Sequence, residues 1–404
     1  MSVRIKLLAL VSVLAIVAAA CGSESDDGTP SAGGDTGSSV DVVDAIGDTE
    51  GELNLIAWPG YTEKGWVKPF EDETGCKVSV KYGNTSDDMV NLIRNNPGQY
   101  DGVSASGDAT NRLIASGNVS AIDPALFPEL SDVTASLNPE SGANTAHYVV
   151  DGNVYGVPYM YGPNFLMFNT DEVSPAPDSW DVVFETEIDG APNPYAGMVT
   201  AYDSAIYIAD AALYLKTHQP DLGITDPYEL TTDQLDAAVE LLKKQATMIT
   251  KYWAIYTDEI DGFDSGDMVI GTAWPVNQQY ITKVPVDNVI PSEGVTGWAD
   301  TWMMTSDAPH PNCMLKWMEY TLGAKVQTEV ALYYGATPSN SAACADLDKE
   351  LADAAAIYHC GDDEFLSAIS LWKTPLPDCG DDRGSTCADY NAWTEKWLEV
   401  RSGS

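Results

Sequence analysis

The chain has 404 residues, 61 acidic against 20 basic for a formal charge of −41, with 44% hydrophobic residues and seven cysteines. This composition excludes a disordered, collagen-like or coiled-coil chain, and the length predicts two lobes or domains with ample core. The lack of clustered Lys and Arg argues against nucleic acid and acidic membrane surfaces as partners, and favours small cations.

Arg4 and Lys6 precede an apolar run over residues 7–20, too short to span a bilayer and laid out as an export signal over 1–20. The run ends Ala18-Ala19-Ala20-Cys21-Gly22, which resembles the bacterial lipobox, where the Cys21 thiol is lipidated and becomes the new N-terminus. The alternative is an ordinary signal peptide cut nearby. Residues 21–50 read as a flexible acidic tether, long enough to reach about 30 Å from a membrane. With no second long apolar stretch, the expected body is soluble, exported and held by lipid alone to the outer face of the bacterial cytoplasmic membrane.

Residues 52–58 alternate as a half-buried strand and run into Pro59-Gly60, and residues 65–74 suit a helix closed by Gly75. Residues 77–82 read as a second strand. Thr85-Ser86-Asp87-Asp88 looks like a capping box opening a helix that ends at Asn95-Asn96-Pro97-Gly98, and residues 100–104 read as a third strand. This βαβαβ order predicts a parallel sheet with helices on both faces and ligand sites beyond the strand C-termini, where Trp58, Tyr61, Ser106 and Asp108 fall. Residues 155–159 and 165–169 read as extended chain leaving the first lobe, and residues 232–250 as a strong helix.

Setting Cys21 aside leaves Cys76, Cys313, Cys344, Cys360, Cys379 and Cys387. An even number in an exported protein reads as disulfides, with fifteen pairings open. Proximity favours Cys344 with Cys360 and Cys379 with Cys387, leaving Cys76 with Cys313. The spacings match no usual zinc ligand pair, and no metal or cofactor is expected. His147, His218, His310 and His359 form no metal-ligand spacing, and neither a nucleophile elbow nor a phosphate-binding glycine loop occurs.

Eleven tryptophans are more informative, because several end strand-like runs. Trp58 ends the first strand, Trp274 follows residues 268–273, and Trp298 stands two residues before Asp300. In extended chain Trp298 and Asp300 share a face, while Trp302 is taken to point the other way. An indole face beside a carboxylate suits a cationic amine.

The residues that carry a family resemblance are 55–61 (LIAWPGY), 100–106 (YDGVSAS), 155–159 with Phe168-Asn169-Thr170-Asp171 and Ser179-Trp180, Phe263-Asp264-Ser265-Gly266-Asp267 leading to Trp274, 297–300, and Thr337-Pro338-Ser339-Asn340. Over residues 50–400 the chain resembles the spermidine/putrescine-binding lipoproteins of polyamine ABC transporters. The resemblance implies a type II periplasmic-binding-protein fold: two α/β lobes with central mixed sheets joined by crossover hinge strands, closing on ligand. The lobes would comprise 51–158 plus 296–340, and 159–295 plus 341–400. It implies no enzyme activity, a polyamine or other organic cation as ligand, ABC permease and ATPase partners, and a monomer.

Carried over by position, Trp58 and Tyr61 resemble the aromatic wall of the first lobe and Ser106 its polar contact. Asp203 resembles the acid that takes a terminal ammonium, Trp274 and Trp298 the indoles along the methylene chain, and Asp300 the central carboxylate. Asp108 departs from the pattern, standing where an aromatic is usual; it either adds a carboxylate to the pocket or caps the helix over 109–115. Gly335-Ala336 also replaces an aromatic, with Tyr333 and Tyr334 just upstream. The alternatives are a ferric-ion binder of related fold using Tyr333 and Tyr334, and an exported glycan hydrolase.

Overall fold

The computed structural model of the protein describes residues 40–140 and 142–403; the export signal, Cys21 and most of the tether lie outside the described residues. In strand β1 (Glu52–Ala57) Leu53 is buried between exposed Glu52 and half-buried Asn54, and every residue from Leu55 on is fully buried, as in a strand covered on both faces. Helix α1 (Lys64–Thr74) ends where Gly75 turns left-handed at φ 78°, a conformation that costs glycine nothing. Then come β2 (Lys77–Tyr82), α2 (Ser86–Asn95), whose cap Thr85 accepts from the Asp88 N–H, β3 (Gly102–Ala105) and α3 (Gly107–Ala115). Both β2 and β3 pair parallel to β1, as the βαβαβ order predicts.

The chain then passes through β4 (Val157–Pro163) into β5 (Phe165–Asn169), with Asn164 alone between them. β5 belongs to a second sheet with β6 (Val199–Tyr202), β7 (Ile249–Trp253), β8 (Ile270–Ala273) and β9 (Val286–Val289), in the order β7-β6-β8-β5-β9. Helices α4 (Ile208–His218), α5 (Thr232–Gln245) and α6 (Pro275–Tyr280) lie along this part of the chain. Thr231 and Gln234 form a capping box at the start of α5. The helix is shorter than the predicted 232–250, because Ile249 and its neighbours leave it to pair as β7 with β6.

From β9 the chain returns to the first sheet as β10 (Val295–Met304), a strand buried along its whole length. Helices α7 (Pro311–Leu322) and α8 (Ala324–Tyr334), strands β11 (Thr337–Pro338) and β12 (Ile369–Leu371), and helix α9 (Tyr390–Ser402) complete the chain. The larger sheet runs β11-β4-β10-β3-β1-β2, with β12 also on β10. Its β10 is antiparallel to β3 and β4, and in the smaller sheet β5 is antiparallel to β8 while β6 is parallel to it, so both sheets are mixed, in two lobes linked by crossing strands.

Three features depart from the expected boundaries. The first crossing falls at Asn164, beyond the predicted 158. Residues 341–371 stay with the larger sheet, because β12 pairs with β10 and helix Cys344–Glu350 packs on α8; the chain after them reaches the other lobe, where Cys387 forms a β-bridge to Thr231 and the last helix packs against α5. The end of the tether is docked: Val42 and Val43 pair with Ala121 and Ile122, and Glu50 accepts from the N–H groups of Asn312 and Cys313. Val43 and Ile46 of this segment pack on the core, while Val40 and Val42 stay exposed.

The cysteines form Cys76–Cys313, Cys344–Cys360 and Cys379–Cys387. Among the described residues no helix is long and apolar enough to cross a membrane.

Candidate functional site

Asp300 lies midway along β10, almost wholly buried. The Tyr61 hydroxyl donates to its Oδ2 at 2.6 Å, and the Ser106 hydroxyl donates to its Oδ1. Both donors come from loops at the C-terminal ends of parallel strands, Tyr61 after β1 and Ser106 between β3 and α3. Burial pushes the Asp300 carboxyl up to about 7, against the two hydrogen bonds, which favour its anion,. Burial, with the neighbouring Asp300 charge, also holds the Tyr61 and Tyr334 phenols far above the usual tyrosine range.

Around this carboxylate stands a wall of rings. Trp58, at the end of β1, meets Trp274 edge to face, with centroids 6.1 Å apart. Trp274 follows β8, so the contact joins the two lobes. Its backbone N–H donates to Asn277 Oδ1 at 3.0 Å, and its indole N–H donates to Asn164 Oδ1 at 3.1 Å. Trp298 crosses Tyr334 at 6.2 Å, and Trp372, directly after β12, stacks on Tyr202. Trp58, Tyr61, Ser106, Trp274, Trp298, Asp300, Tyr334 and Trp372 together line one cavity, with free space of only about 10 Å³, about one water. This arrangement leaves no room for a larger ligand.

Six of the expected residues, Trp58, Tyr61, Ser106, Trp274, Trp298 and Asp300, thus meet at one place. Two do not line it. Asp203 follows β6, but its carboxylate is taken by Arg401 Nε at 3.0 Å and Trp397 Nε1 at 3.2 Å, both on α9. Asp108 sits in the first turn of α3, behind Ser106, and accepts from Ser86 Oγ at 2.7 Å. It is neither a wall residue nor the helix cap, which is Ser106; burial raises its carboxyl to about 6.

Trp372 and Tyr334 belong to the cavity without having been expected among the amine contacts. Trp302 has the same strand parity as Trp298 and Asp300 and does not turn away from their face; it packs on Tyr159 at 5.8 Å and on Trp317 of α7 at 5.5 Å, under the helix.

The iron alternative finds poor support here. Tyr333 packs on Trp66 and Tyr280, apart from Tyr334 in the wall. Among the described residues, no group of three or more His, Cys, Asp or Glu side chains could hold a metal ion.

A family profile described as bacterial extracellular solute-binding protein matches residues 65–358. The spermidine/putrescine-binding periplasmic protein 1 of Haemophilus influenzae is 27% identical over 330 residues, 80% of this chain and 84% of that protein. The putrescine/agmatine-binding protein of Pseudomonas aeruginosa is 24% identical over 332 residues, 78% of this chain and 86% of its own length. Among solved structures, the spermidine/putrescine ABC transporter substrate-binding protein PotD of Streptococcus pneumoniae superposes with a TM-score of 0.64 at 18% identity, covering 87% of this chain and 99% of that one. This last likeness speaks to the fold.

Proposed function

Because the chain belongs to the bacterial extracellular solute-binding proteins, a family of transport receptors and not of enzymes, we propose that it captures an organic cation of the polyamine class or a close relative between its lobes and presents it to an ABC permease and its ATPase. The observation that carries this reading is Asp300, a buried carboxylate among indole and phenol rings. An ammonium placed there donates charge-assisted hydrogen bonds to the carboxylate and gains quadrupole attraction from the rings. The names of the two relatives, which bind putrescine with spermidine or agmatine, support the same class.

Capture works through closure. A ligand that touches Asp300 on one lobe and Trp274 on the other favours the closed arrangement by its differential contacts, and the permease then distinguishes loaded from empty receptor. We further place the protein outside the cytoplasm, as a monomer tethered through lipid on Cys21; mass spectrometry of the membrane-extracted N-terminus tests the anchor. Isothermal titration with a panel of organic cations at low and high salt tests the receptor function. One-to-one binding that persists in high salt is expected, because a buried pair escapes the screening that removes adsorption to an acidic surface. Heat seen only at low salt, without stoichiometry, would refute the reading.

A further inference from the structure

Resting on the organic-cation reading above, we infer that the cavity selects a singly charged, N-alkylated ammonium, such as a trimethylammonium compound, over a primary diamine or polyamine. The argument begins with the charge inventory. Asp300 is the one carboxyl among the residues that line the cavity. Of the two other acids expected to supply a second anionic pole, Asp203 is paired with Arg401, and Asp108 lies outside the lining, behind Ser106, where one of its oxygens accepts from Ser86. A diamine enclosed here would pair one ammonium and bury the other without a counter-charge, which is strongly unfavourable.

The hydrogen-bond inventory points the same way. A primary ammonium has three N–H donors and needs an acceptor for each. Of the roughly four acceptor sites of an Asp300 carboxylate, Tyr61 and Ser106 use two, leaving fewer than three for a primary ammonium, and much of the remaining wall is indole: Trp58, Trp274, Trp298 and Trp372. Indole rings offer a cation their π faces but no acceptor lone pair, and indole N–H groups are donors only. N-methyl groups lose no hydrogen bonds on entering such a wall, and they spread the positive charge over the surface that touches the rings.

The test is titration of the full-length protein with choline, with putrescine, and with dimethylbutanol, the neutral carbon isostere of choline, at about 1 M NaCl, where surface adsorption is screened. Choline is expected to bind one to one, at least about tenfold tighter than either of the others. Putrescine binding as tightly as choline, or more tightly, would overturn the selectivity and leave the receptor reading standing. Dimethylbutanol matching choline would overturn it as well, by showing that shape and not charge is recognised. One-to-one binding of neither cation would remove both this inference and the reading beneath it.

Discussion

The indole N–H of Trp274 donates to Asn164 Oδ1 at 3.1 Å, and Asn164 is the residue at which the chain leaves the larger sheet for the smaller one. A wall of the cavity is therefore fastened to the hinge. The same amide donates through Nδ2 to Thr296 Oγ1 at 2.6 Å, on the returning strand β10, and Thr296 in turn donates to the buried Asp210 at 3.0 Å. Both crossings and one cavity indole thus share a single buried network. Asn164→Ala deletes two of its bonds and leaves the Trp274 N–H unpaired, so a loss of about 2–3 kcal/mol in urea unfolding is expected. Cation affinity measured by titration should fall as well, because the indole loses its fixed orientation.

Asp300→Asn keeps the shape and the acceptor for Tyr61 but removes the charge. Cation binding should weaken by about 1.5–3 kcal/mol, the worth of a hydrogen bond to a charged group. Since the free carboxyl is raised to about 7, the wild-type protein must release a proton before it holds a cation at lower pH. Affinity should then be greatest above pH 7 and fall by up to about tenfold for each unit below it. Titrations across that range should show the slope in the wild type and a flat profile in the variant.

Burial raises the Asp210 carboxyl to about 8, far above its value in the unfolded chain. The folded protein therefore holds a proton that the unfolded chain has released. This contribution to stability is full below about pH 4 and is lost as pH rises toward 8, by about 1.4 kcal/mol per unit. Asp210→Asn preserves the acceptor for Thr296 and should reduce that slope in denaturation midpoints measured between about pH 5 and 8. Glu259, buried without a partner and also raised, keeps part of the slope in the variant.

The three disulfides differ in the chain they close. Cys76–Cys313 spans a sequence separation of 237 and ties the α1–β2 corner to α7, whereas Cys379–Cys387 spans only 8. On chain entropy alone the first contributes about 5 kcal/mol and the second about 2.5. Replacing Cys76 and Cys313 with serine should therefore lower the urea midpoint roughly twice as far as the same change at Cys379 and Cys387. Equal losses would point to strain or contacts in place of loop closure.

Wherever a local pattern sets geometry, the sequence is readable. Alternation in 52–58, the glycine after α1 and the cap at Thr85 are one-segment signals, and the strand period puts Trp298 beside Asp300. Asp203 was not readable, because the residue that neutralises it, Arg401, lies 198 positions away. Trp302 shows the limit of parity: the period assigns it a face, but only the path of α7 decides that this part of the face is covered. Trp372 could have been found, since like Trp58 and Trp274 it follows a short strand run, here Ile369–Leu371. Its neighbour Gly107 adds a clue visible only in three dimensions, for a Cβ there would meet the Trp372 carbonyl oxygen at 1.9 Å.

The edge-on approach of Trp58 to Trp274 makes the receptor report on itself optically. Two indoles from different lobes at 6.1 Å and 73° are close enough for their ultraviolet transitions to couple, and inclined enough for that coupling to rotate light. Trp253, at 4.8 Å from Trp274 within the same lobe, supplies a second couplet that motion between lobes leaves alone. If ligand release parts the lobes, the first pair should separate and the second persist, so the near-ultraviolet circular dichroism is expected to hold one component that follows the gap between the lobes and one that stays constant as an internal standard.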